Sequence, residues 1–378
     1  MRWNEPAPGE RESRERSWPI VRAAWEARIP SPAASRVVRL GPLVAIAAGL
    51  VVVAAALSPP GMAVLGSIRD AVRGEKNAAP ALYRLPTQGR LLVESARGAW
   101  IVQRDGSKRL LSGYHDVSWS PHGLYLAAIR GHELRALEPN GNVHWSLARP
   151  GQLATPRWSF EGYRIAYRAG DELRVVNGDG TGDRVLATRV ASVAPSWRPA
   201  THVVAYVDAT GDVRIVDADT KRLLRRIHPS SRPEAVDWSP DGGRLLVRGG
   251  HTLEFFGPGP AHLVPLGPGA APVKAAAFSP TGQSIAFIQE VPVKQGRRSF
   301  LWVSPRLRPD ATRARRVFAG AGSFANVAWS PDGRWLLLDW RSANQWVFMR
   351  STLAGIRATS NITGAFGPDA AIAGWCCP

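Results

Sequence analysis

Six copies of one short motif recur along this chain at a nearly constant interval. Each copy consists of an aromatic residue, a small or basic residue and a turn that ends in Gly or Thr, as in Trp238–Gly242. The aromatic residues are Trp119, Trp158, Trp197, Trp238, Phe278 and Trp329, separated by 39, 39, 41, 40 and 51 residues. A fixed interval of this size is typical of a repeat architecture, in which each repeat forms one supersecondary unit. The interval therefore constrains the fold more than any other feature of the chain.

The residues between successive aromatic positions predict four β-strands per repeat. Pro fixes the backbone at the first corner of most turns and Gly closes it, so the chain reverses directly after the aromatic residue. Short runs rich in Val, Ile and Leu follow, such as Leu124–Ile129, Glu172–Val176 and Asp183–Leu186. Their length and composition are those of strands. Together with the strand that carries the aromatic residue, they predict an all-β fold, a β-propeller with four antiparallel strands per blade.

The number of blades depends on the two ends of the repeat region. Three predicted strands, Arg90–Glu94, Ala99–Gln103 and Lys108–Leu111, precede the first motif without a motif strand of their own. The C-terminal segment Ala371–Pro378 repeats the pattern of Asn326–Pro331 and provides the missing strand. We therefore expect a propeller over residues 90–378 with seven blades, one of them assembled from both ends, which leaves no open sheet edge. Six blades with additional strands at the ends are the alternative.

The complete motif, Trp-Ser-Pro-Asp-Gly, resembles the repeat of TolB-type, WD-like β-propellers. It is intact at Trp238–Gly242 and Trp329–Gly333 and altered at Phe160–Glu161 and Ala200–Thr201. The resemblance extends over about residues 90–378. Proteins of this type are mostly periplasmic or extracytoplasmic binding modules, and some are non-catalytic domains attached to peptidases. The resemblance thus implies the fold and a binding role, and it identifies no ligand.

The N-terminal quarter of the chain differs in kind from the repeats. Leu40–Leu57 contains eighteen residues without a charge, close to the minimum for crossing the ~30 Å hydrocarbon core of a bilayer. We predict a cytoplasmic tail over residues 1–39, a transmembrane helix over 40–60 and a linker over 61–89. A cleaved signal peptide or a buried soluble helix is the alternative. Because Arg is denser before the span than directly after it, the propeller of this single-pass membrane protein is predicted to lie outside the cytoplasm.

The predicted cytoplasmic tail contains one amphipathic pattern. Trp18, Val21, Trp25 and Ile29 are spaced by three, four and four residues, which places them on one face of a helix. Such a face could dock into the groove of a partner protein or lie on the inner leaflet, and a disordered tail is the alternative. A short inner helix, a span and an outer propeller resemble the layout of a membrane-bound anti-sigma regulator. Residues 1–89 nevertheless lack the zinc-binding His and Cys found in part of that class.

The chain is strongly basic, with a formal net charge of +18 and an isoelectric point near 11.1. No known nucleic-acid module is present, and we expect the charge to be spread over every blade. The predicted partner is therefore a protein or an anionic cell-envelope polymer such as a wall polymer, and no nucleic acid is expected. A compositional habit of the organism is the alternative.

The longest repeat concentrates basic residues in two connections between strands. They provide the candidate anion-binding residues Lys294, Arg297, Arg298, Arg313, Arg315 and Arg316. In an up-and-down blade these connections leave opposite faces of the disc, so we expect a basic blade edge and no closed pocket. Long loops on a rigid scaffold often carry function, and a solvated insertion is the alternative.

No arrangement typical of catalysis or metal binding is found in the sequence. The chain lacks a Gly-x-Ser-x-Gly elbow, a His-Glu-x-x-His motif and a Cys-x-x-Cys pair. We therefore predict no catalytic residue, no cofactor, no metal site and a protein that is not an enzyme. The predicted function is a membrane-tethered, extracytoplasmic binding or scaffold module. The alternative is a single-span signalling protein with the propeller as sensor.

Two groups of residues near the C-terminus have open interpretations. Adjacent Cys376 and Cys377 could form a vicinal or an intermolecular disulfide, although burial as small apolar residues in the closing strand is favoured. Four tryptophans cluster in the last blades, where packing between blades is favoured over a stacking surface for sugar. These tryptophans are Trp302, Trp335, Trp340 and Trp346.

Overall fold

Seven four-stranded antiparallel sheets make up the computed structural model of this protein, which describes residues 84–257, 262–263, 271–294, 296–304, 314–352 and 355–377. Six of the sheets, called blades 1 to 6 here, use four strands that are consecutive in the chain. The closing blade instead combines three N-terminal strands with the last strand of the chain. The predicted all-β propeller with seven four-stranded blades is confirmed, and the six-blade alternative is wrong.

The closing blade and blades 1 to 3 hold the first fifteen strands and the last one. The closing blade contains β1 (Arg90–Ser95), β2 (Gly98–Val102), β3 (Lys108–Ser112) and β28 (Ala371–Cys376). Blade 1 contains β4 (His115–Trp119), β5 (Leu126–Arg130), β6 (Glu133–Leu137) and β7 (Val143–Ala148). Blade 2 contains β8 (Leu153–Trp158), β9 (Arg164–Ala169), β10 (Glu172–Asn177) and β11 (Arg184–Ala187). Blade 3 contains β12 (Ser196–Trp197), β13 (Val203–Val207), β14 (Val213–Asp217) and β15 (Leu223–Ile227).

Blades 4 to 6 hold the remaining strands and a short 3-10 turn. Blade 4 contains β16 (Pro233–Trp238), β17 (Leu245–Gly249), β18 (Leu253–Phe256) and β19 (His262–Leu263). Blade 5 contains β20 (Val273–Phe278), β21 (Ile285–Val293), β22 (Gly296–Ser304) and β23 (Arg315–Ala321). Blade 6 contains β24 (Asn326–Trp329), β25 (Trp335–Trp340), the 3-10 turn Arg341–Ala343, β26 (Gln345–Arg350) and β27 (Ile356–Ser360). A short helix, α1 (Ile362–Phe366), leads from blade 6 to β28.

Among the described residues, no helix is long and apolar enough to cross a membrane. The predicted transmembrane helix over 40–60 and the predicted amphipathic face of the tail, Trp18 to Ile29, lie outside the described residues and stay predictions.

An antiparallel strand pair joins the two ends of the repeat region. In this pair of β1 and β28, Arg90 lies opposite Cys376 and Glu94 opposite Ala371. Ile372 and Trp375 of β28 are buried in the hydrophobic core of the same blade. Because β28 occupies the inner edge of the closing blade, β1 has no unpaired edge that could recruit another chain.

The first strand of each blade lies nearest the axis of the ring. Around most of the ring, these first strands contact the first strands of the neighbouring blades. The turn after each inner strand therefore lies on one side of the disc. In an up-and-down blade, the connection between the third and fourth strands lies on that side too. We call this side the turn face.

Buried serine side chains explain why the turn after the inner strand is repeated. Ser120 N donates to the Tyr125 carbonyl at 2.9 Å, and Ser120 Oγ accepts from Tyr125 N at 3.0 Å. Blade 3 has Arg198 at this position, and there Thr201 Oγ1 donates to the Arg198 carbonyl at 2.9 Å. The motif thus specifies a local hydrogen-bond pattern, which is why it can be seen in the sequence. The same pair of bonds recurs at Ser159, Ser239, Ser279 and Ser330.

The hydrophobic core lies in the seams between blades. Trp335 and Trp346 are buried in the seam between blade 6 and the closing blade, and Trp340 is buried between blades 5 and 6. Trp302 is half-buried and stacks on Phe287, with ring centroids 6.3 Å apart. The four tryptophans of the last blades therefore pack between strands and blades, as favoured, and offer no stacking surface for sugar.

Cys376 and Cys377 are joined in a vicinal disulfide at the end of β28. Both residues are half-buried beside the turn of blade 1, where Cys377 Sγ lies 3.5 Å from the Pro121 carbonyl oxygen. The favoured prediction, burial of both as unpaired apolar residues in the strand, is wrong. The strand ends at Cys376, and Cys377 leaves it with a left-handed backbone conformation (φ 56°).

Candidate functional site

Net charge is distributed unevenly among the blades. Blade 5, residues 271–322, contains nine Lys and Arg and two Asp and Glu, a net charge of +7 out of +13 for residues 90–378. No other blade exceeds +3. Basic residues occur in every blade, as expected, but blade 5 has more than half of the net positive charge, most of it in its two long connections.

Blade 5 differs from its neighbours in the length of its strands. Its middle strands β21 and β22 have nine residues each, whereas the middle strands β5 and β6 of blade 1 have five each. The additional residues lengthen the hairpin that turns at Lys294 and extend the surface on which the basic side chains lie. We call the described basic residues of β22, β23 and this hairpin the basic edge, namely Lys294, Arg297, Arg298, Arg315 and Arg316.

Two arginines of the basic edge converge on one aromatic ring. The guanidinium carbons of Arg298 and Arg316 lie 5.7 and 5.4 Å from the centroid of the Phe300 ring. Arg298 lies opposite Ala321 and Arg316 opposite Trp302, so the two approach the ring from different ends of the strand pair. Although their connections leave opposite ends of β22, the side chains therefore meet at a single cation–π cluster.

The other candidate residues have different surroundings. Arg297 Nη1 lies 2.7 Å from Glu290 Oε1, so its charge is compensated. Lys294 and Arg315 are exposed. Arg313 lies outside the described residues. Lys294, Arg298, Arg315 and Arg316 have no carboxylate partner within the described residues.

A groove of about 750 Å³ opens on the turn face where blades 1 and 2 meet. Its size is that of an ordinary small-molecule site. The walls combine four half-buried or exposed aromatic rings with polar side chains from blades 1, 2 and 3. They include Tyr125, His144, Trp145, Trp158, Tyr163, Arg164, Asn177, Asp179 and His202. Sequence reasoning missed this groove, because its residues come from separate strands and connections of three blades.

Contacts between blades hold the walls of this groove in place. Trp145 Nε1 of blade 1 donates to the Gly178 carbonyl of blade 2 at 2.8 Å. Arg164 of blade 2 is held by Asp219 of blade 3 through two hydrogen bonds of 3.0 and 2.8 Å. Gly180 has a left-handed backbone (φ 86°), and a Cβ there would lie 2.8 Å from the Trp145 ring. Local packing therefore requires glycine in the turn that borders the groove.

The turns that border the groove expose large apolar side chains, of which Tyr163 lines the groove itself. Tyr163 is 71% exposed, Leu124 62% and Phe160 53%. All three belong to the turns after the inner strands of blades 1 and 2. These turns are the places where the repeat motif is altered or gains an apolar residue, which is the one signal in the sequence that could have marked this surface.

A ring of seven equivalent positions directly precedes the aromatic residue of each inner strand. Five blades have a small residue there. Blade 2 has a positively charged residue and blade 4 a negatively charged one. The positions are Ser118, Arg157, Ser196, Asp237, Ala277, Ala328 and Gly374. Asp237 is in contact with solvent yet surrounded by the inner strands. This enclosure raises the pKa of Asp237 to about 6, against the opposing charges of Arg157 and Arg248. The charge of Arg157, on the inner strand of blade 2, therefore acts on Asp237 of blade 4.

Within the described residues, no group of three or more His, Cys, Asp and Glu side chains is placed to hold a metal ion. The tail residues Trp18, Val21, Trp25 and Ile29 lie outside the described part of the chain. The structure thus offers two surfaces for binding, the basic edge of blade 5 and the groove between blades 1 and 2.

Comparison with models of protein families gave no match, and comparison with curated protein sequences gave none either. Among solved structures, hydrazine synthase of Kuenenia stuttgartiensis is similar to this chain at a TM-score of 0.49 and 14% sequence identity. The match covers 63% of this chain and 76% of that one.

Proposed function

We propose that this chain is a membrane-tethered, extracytoplasmic binding propeller whose basic edge holds an anionic cell-envelope polymer. The observation that carries the proposal is the concentration of net charge on blade 5, +7 against at most +3 on any other blade. Because Lys294, Arg298, Arg315 and Arg316 have no carboxylate partner among the described residues, their charges are available to a ligand. The TolB-type resemblance of the repeat supports a binding role over a catalytic one.

The shape of the basic edge favours an extended anion over a small one. Nine-residue strands span about 30 Å, and the cations are distributed along them without converging on a pocket. Electrostatic attraction between such a row of cations and a polyanion falls steeply with salt, because binding releases condensed counterions. A phosphate-rich polymer would thus meet several arginines at once, with the Phe300 ring holding two of them in position.

The tether and the cellular side are proposed from the sequence. Leu40–Leu57 would anchor the chain, and the excess of Arg before it would keep the propeller outside the cytoplasm. Protease added to intact cells should then digest the propeller. Protection of residues 90–378 until the membrane is broken would contradict this orientation.

The binding proposal can be tested by titrating the purified full chain with fluorescently labelled polyglycerol phosphate at several salt concentrations. Arg298, Arg315 and Arg316 are changed together to Glu. Each lost cation near an anionic surface costs about 1 kcal/mol, so binding should weaken about 100-fold and its salt dependence should become shallower.

A matched control changes three exposed bases of blade 3, Lys221, Arg222 and Arg225, to Glu. This variant has the same change in net charge, and it should retain most of the affinity of the unchanged chain. Equal losses in both variants would mean that net charge alone attracts the polymer, and no binding by the unchanged chain would refute the proposal.

A further inference from the structure

We infer that the groove between blades 1 and 2 is a binding site for a neutral saccharide. This surface is separate from the basic edge of blade 5, so the inference does not depend on the proposed polymer binding. It rests on the aromatic walls of the groove, on its hydrogen-bonding groups and on its local charge balance.

Aromatic rings provide the apolar part of the site. Trp145 and Trp158 line the groove together with Tyr125 and Tyr163, and Tyr163 is 71% exposed. A sugar ring has an apolar C–H face that packs on an aromatic ring and a rim of hydroxyl groups that needs polar partners. Aromatic side chains that combine an apolar face with a polar edge suit such an amphipathic ligand.

Polar side chains of the groove provide donors and acceptors for hydroxyl groups. Asp179 Oδ1 accepts from the backbone N–H and hydroxyl of Thr181 at 2.9 and 2.7 Å, and these bonds lower the pKa of Asp179. Its carboxylate is thereby oriented and charged at neutral pH, with Oδ2 left for a ligand. His144 is held edge-on to the Tyr125 ring at 4.5 Å, and His202 is exposed. Planar groups of this kind form directional bonds to vicinal hydroxyls.

The charge balance of the groove argues against an anionic ligand. The guanidinium of Arg164 is paired with Asp219 through two hydrogen bonds, and the same carboxylate accepts from Arg184 at 3.2 Å. Asp179 adds a negative charge, and Glu138 lies 3.4 Å from His144. The described residues around the groove thus carry two arginines against the carboxylates of Asp219, Asp179 and Glu138, so a polyanion finds no excess of positive charge there. A neutral saccharide needs none.

The repeat itself provides an internal comparison for the rim. The residue that follows the turn Gly or Thr is Tyr163 in blade 2 and Leu124 in blade 1. The same position has His202, Gly243, Gln283 and Arg334 in blades 3 to 6. Exposed apolar side chains at this position thus occur in the two blades that form the groove, although Leu124 itself lines a neighbouring depression. Blades 3 to 6 have polar residues or glycine there. If the turn itself required an apolar side chain at this position, every blade would have one. The apolar residues of blades 1 and 2 therefore have another role.

The test uses the purified full chain in a detergent without a sugar headgroup. The chain is applied to an array of neutral hexose and N-acetylhexosamine oligosaccharides, and the best ligand is then titrated by calorimetry. We expect binding in the micromolar to millimolar range. Tyr163→Ala and Asp179→Asn should each weaken it at least tenfold, and Tyr163→Phe should retain most of it.

Gln283→Ala, at the equivalent turn position of blade 5, is the matched control and should bind like the unchanged chain. Both Tyr163 and Asp179 are exposed, so these variants should unfold at the same denaturant concentration as the control. Retention of no neutral saccharide on the array would overturn the inference. So would binding that Tyr163→Ala leaves unchanged. The groove variants should bind polyglycerol phosphate, measured separately, as tightly as the unchanged chain does, whether or not the groove binds a saccharide.

Discussion

At the scale of single residues, the buried carboxyl group of Asp339 is a source of pH-dependent stability. Asp339 is 2% exposed in the seam beside the closing blade, and its Oδ2 has no hydrogen-bond partner among the described residues. Burial raises its pKa to about 6, with only the charge of Arg341 acting in the opposite direction. The folded protein therefore holds this proton more tightly than the unfolded chain does.

Replacing Asp339 by Asn should stabilise the fold at neutral pH. The stability of the unchanged protein should fall as pH rises from about 4 to about 6, because the unfolded chain loses the proton first. At pH 7 the variant avoids this cost, which is about 2–3 kcal/mol for a shift of this size. Urea unfolding at pH 4.5 and pH 7 measures both effects. Asp369→Asn, at an exposed site, is the control, and an Asp339→Asn variant that is less stable at pH 7 would contradict the account.

Asp183 has the opposite surroundings. Its side chain is 4% exposed, and it accepts hydrogen bonds from Tyr167 Oη at 2.6 Å, Arg174 Nη2 at 2.6 Å and Arg149 Nη2 at 2.7 Å. Burial alone would raise the pKa of Asp183, but the bonds from Arg174, Tyr167 and Arg149 lower it. The contribution of the Asp183 carboxylate to stability should therefore be full at neutral pH. It should disappear as the pH falls below the ordinary pKa of an aspartate and through the lowered pKa of Asp183.

Changing Asp183 to Ala should destabilise the protein by about 3–5 kcal/mol, because two arginines and a buried phenol lose a common acceptor. Equilibrium unfolding at pH 7 measures the loss. Asp171→Ala, at an exposed position of the same blade, should cost less than about 0.5 kcal/mol. Equal stability of both variants would show that water replaces the carboxylate at no cost.

At the scale of structural elements, β28 decides whether the ring is closed. Removing residues 370–378 should expose the edge of β1 and the apolar seam around it, which favours association between chains. Light scattering should detect oligomers or aggregates.

Ile372→Ala is the milder test of β28, since it leaves the strand in place and should cost about 2–5 kcal/mol in unfolding free energy. Ala373→Ser, on an exposed position of β28, is its control. A truncated chain that stays monomeric and as stable as the full chain would contradict the role of β28.

The elements were predictable where the determinants are local. Ser239, Pro240 and Gly242 form a turn through hydrogen bonds within six residues, so the repeat and its strands are visible in the sequence. The contacts of Arg298 and Arg316 with one phenylalanine depend on the pairing of β22 with β23, which no local pattern reports. The groove depends on blade 1 meeting blade 2, and Trp145 and Gly178 come together only in the folded ring. Residue spacing thus predicted the fold and the basic edge but not the groove.

At the scale of the whole molecule, the propeller separates two kinds of surface on one rigid disc. Blade 5 carries a row of cations, whereas the turn face of blades 1 and 2 carries aromatic rings with balanced charges. Because each blade packs only on its neighbours, a blade can acquire its own surface without disturbing the others. This independence is why single-blade variants are suitable tests of function.

The central claim, that blade 5 binds an anionic polymer, is tested most directly by hydrogen–deuterium exchange on the full chain. Exchange is measured with and without polyglycerol phosphate at low salt, and the peptides are assigned to blades. The account predicts slower exchange in β22, β23 and the hairpin at Lys294, with blades 1 to 3 unchanged. Protection centred on another blade, or binding without protection of β22 and β23, would contradict it.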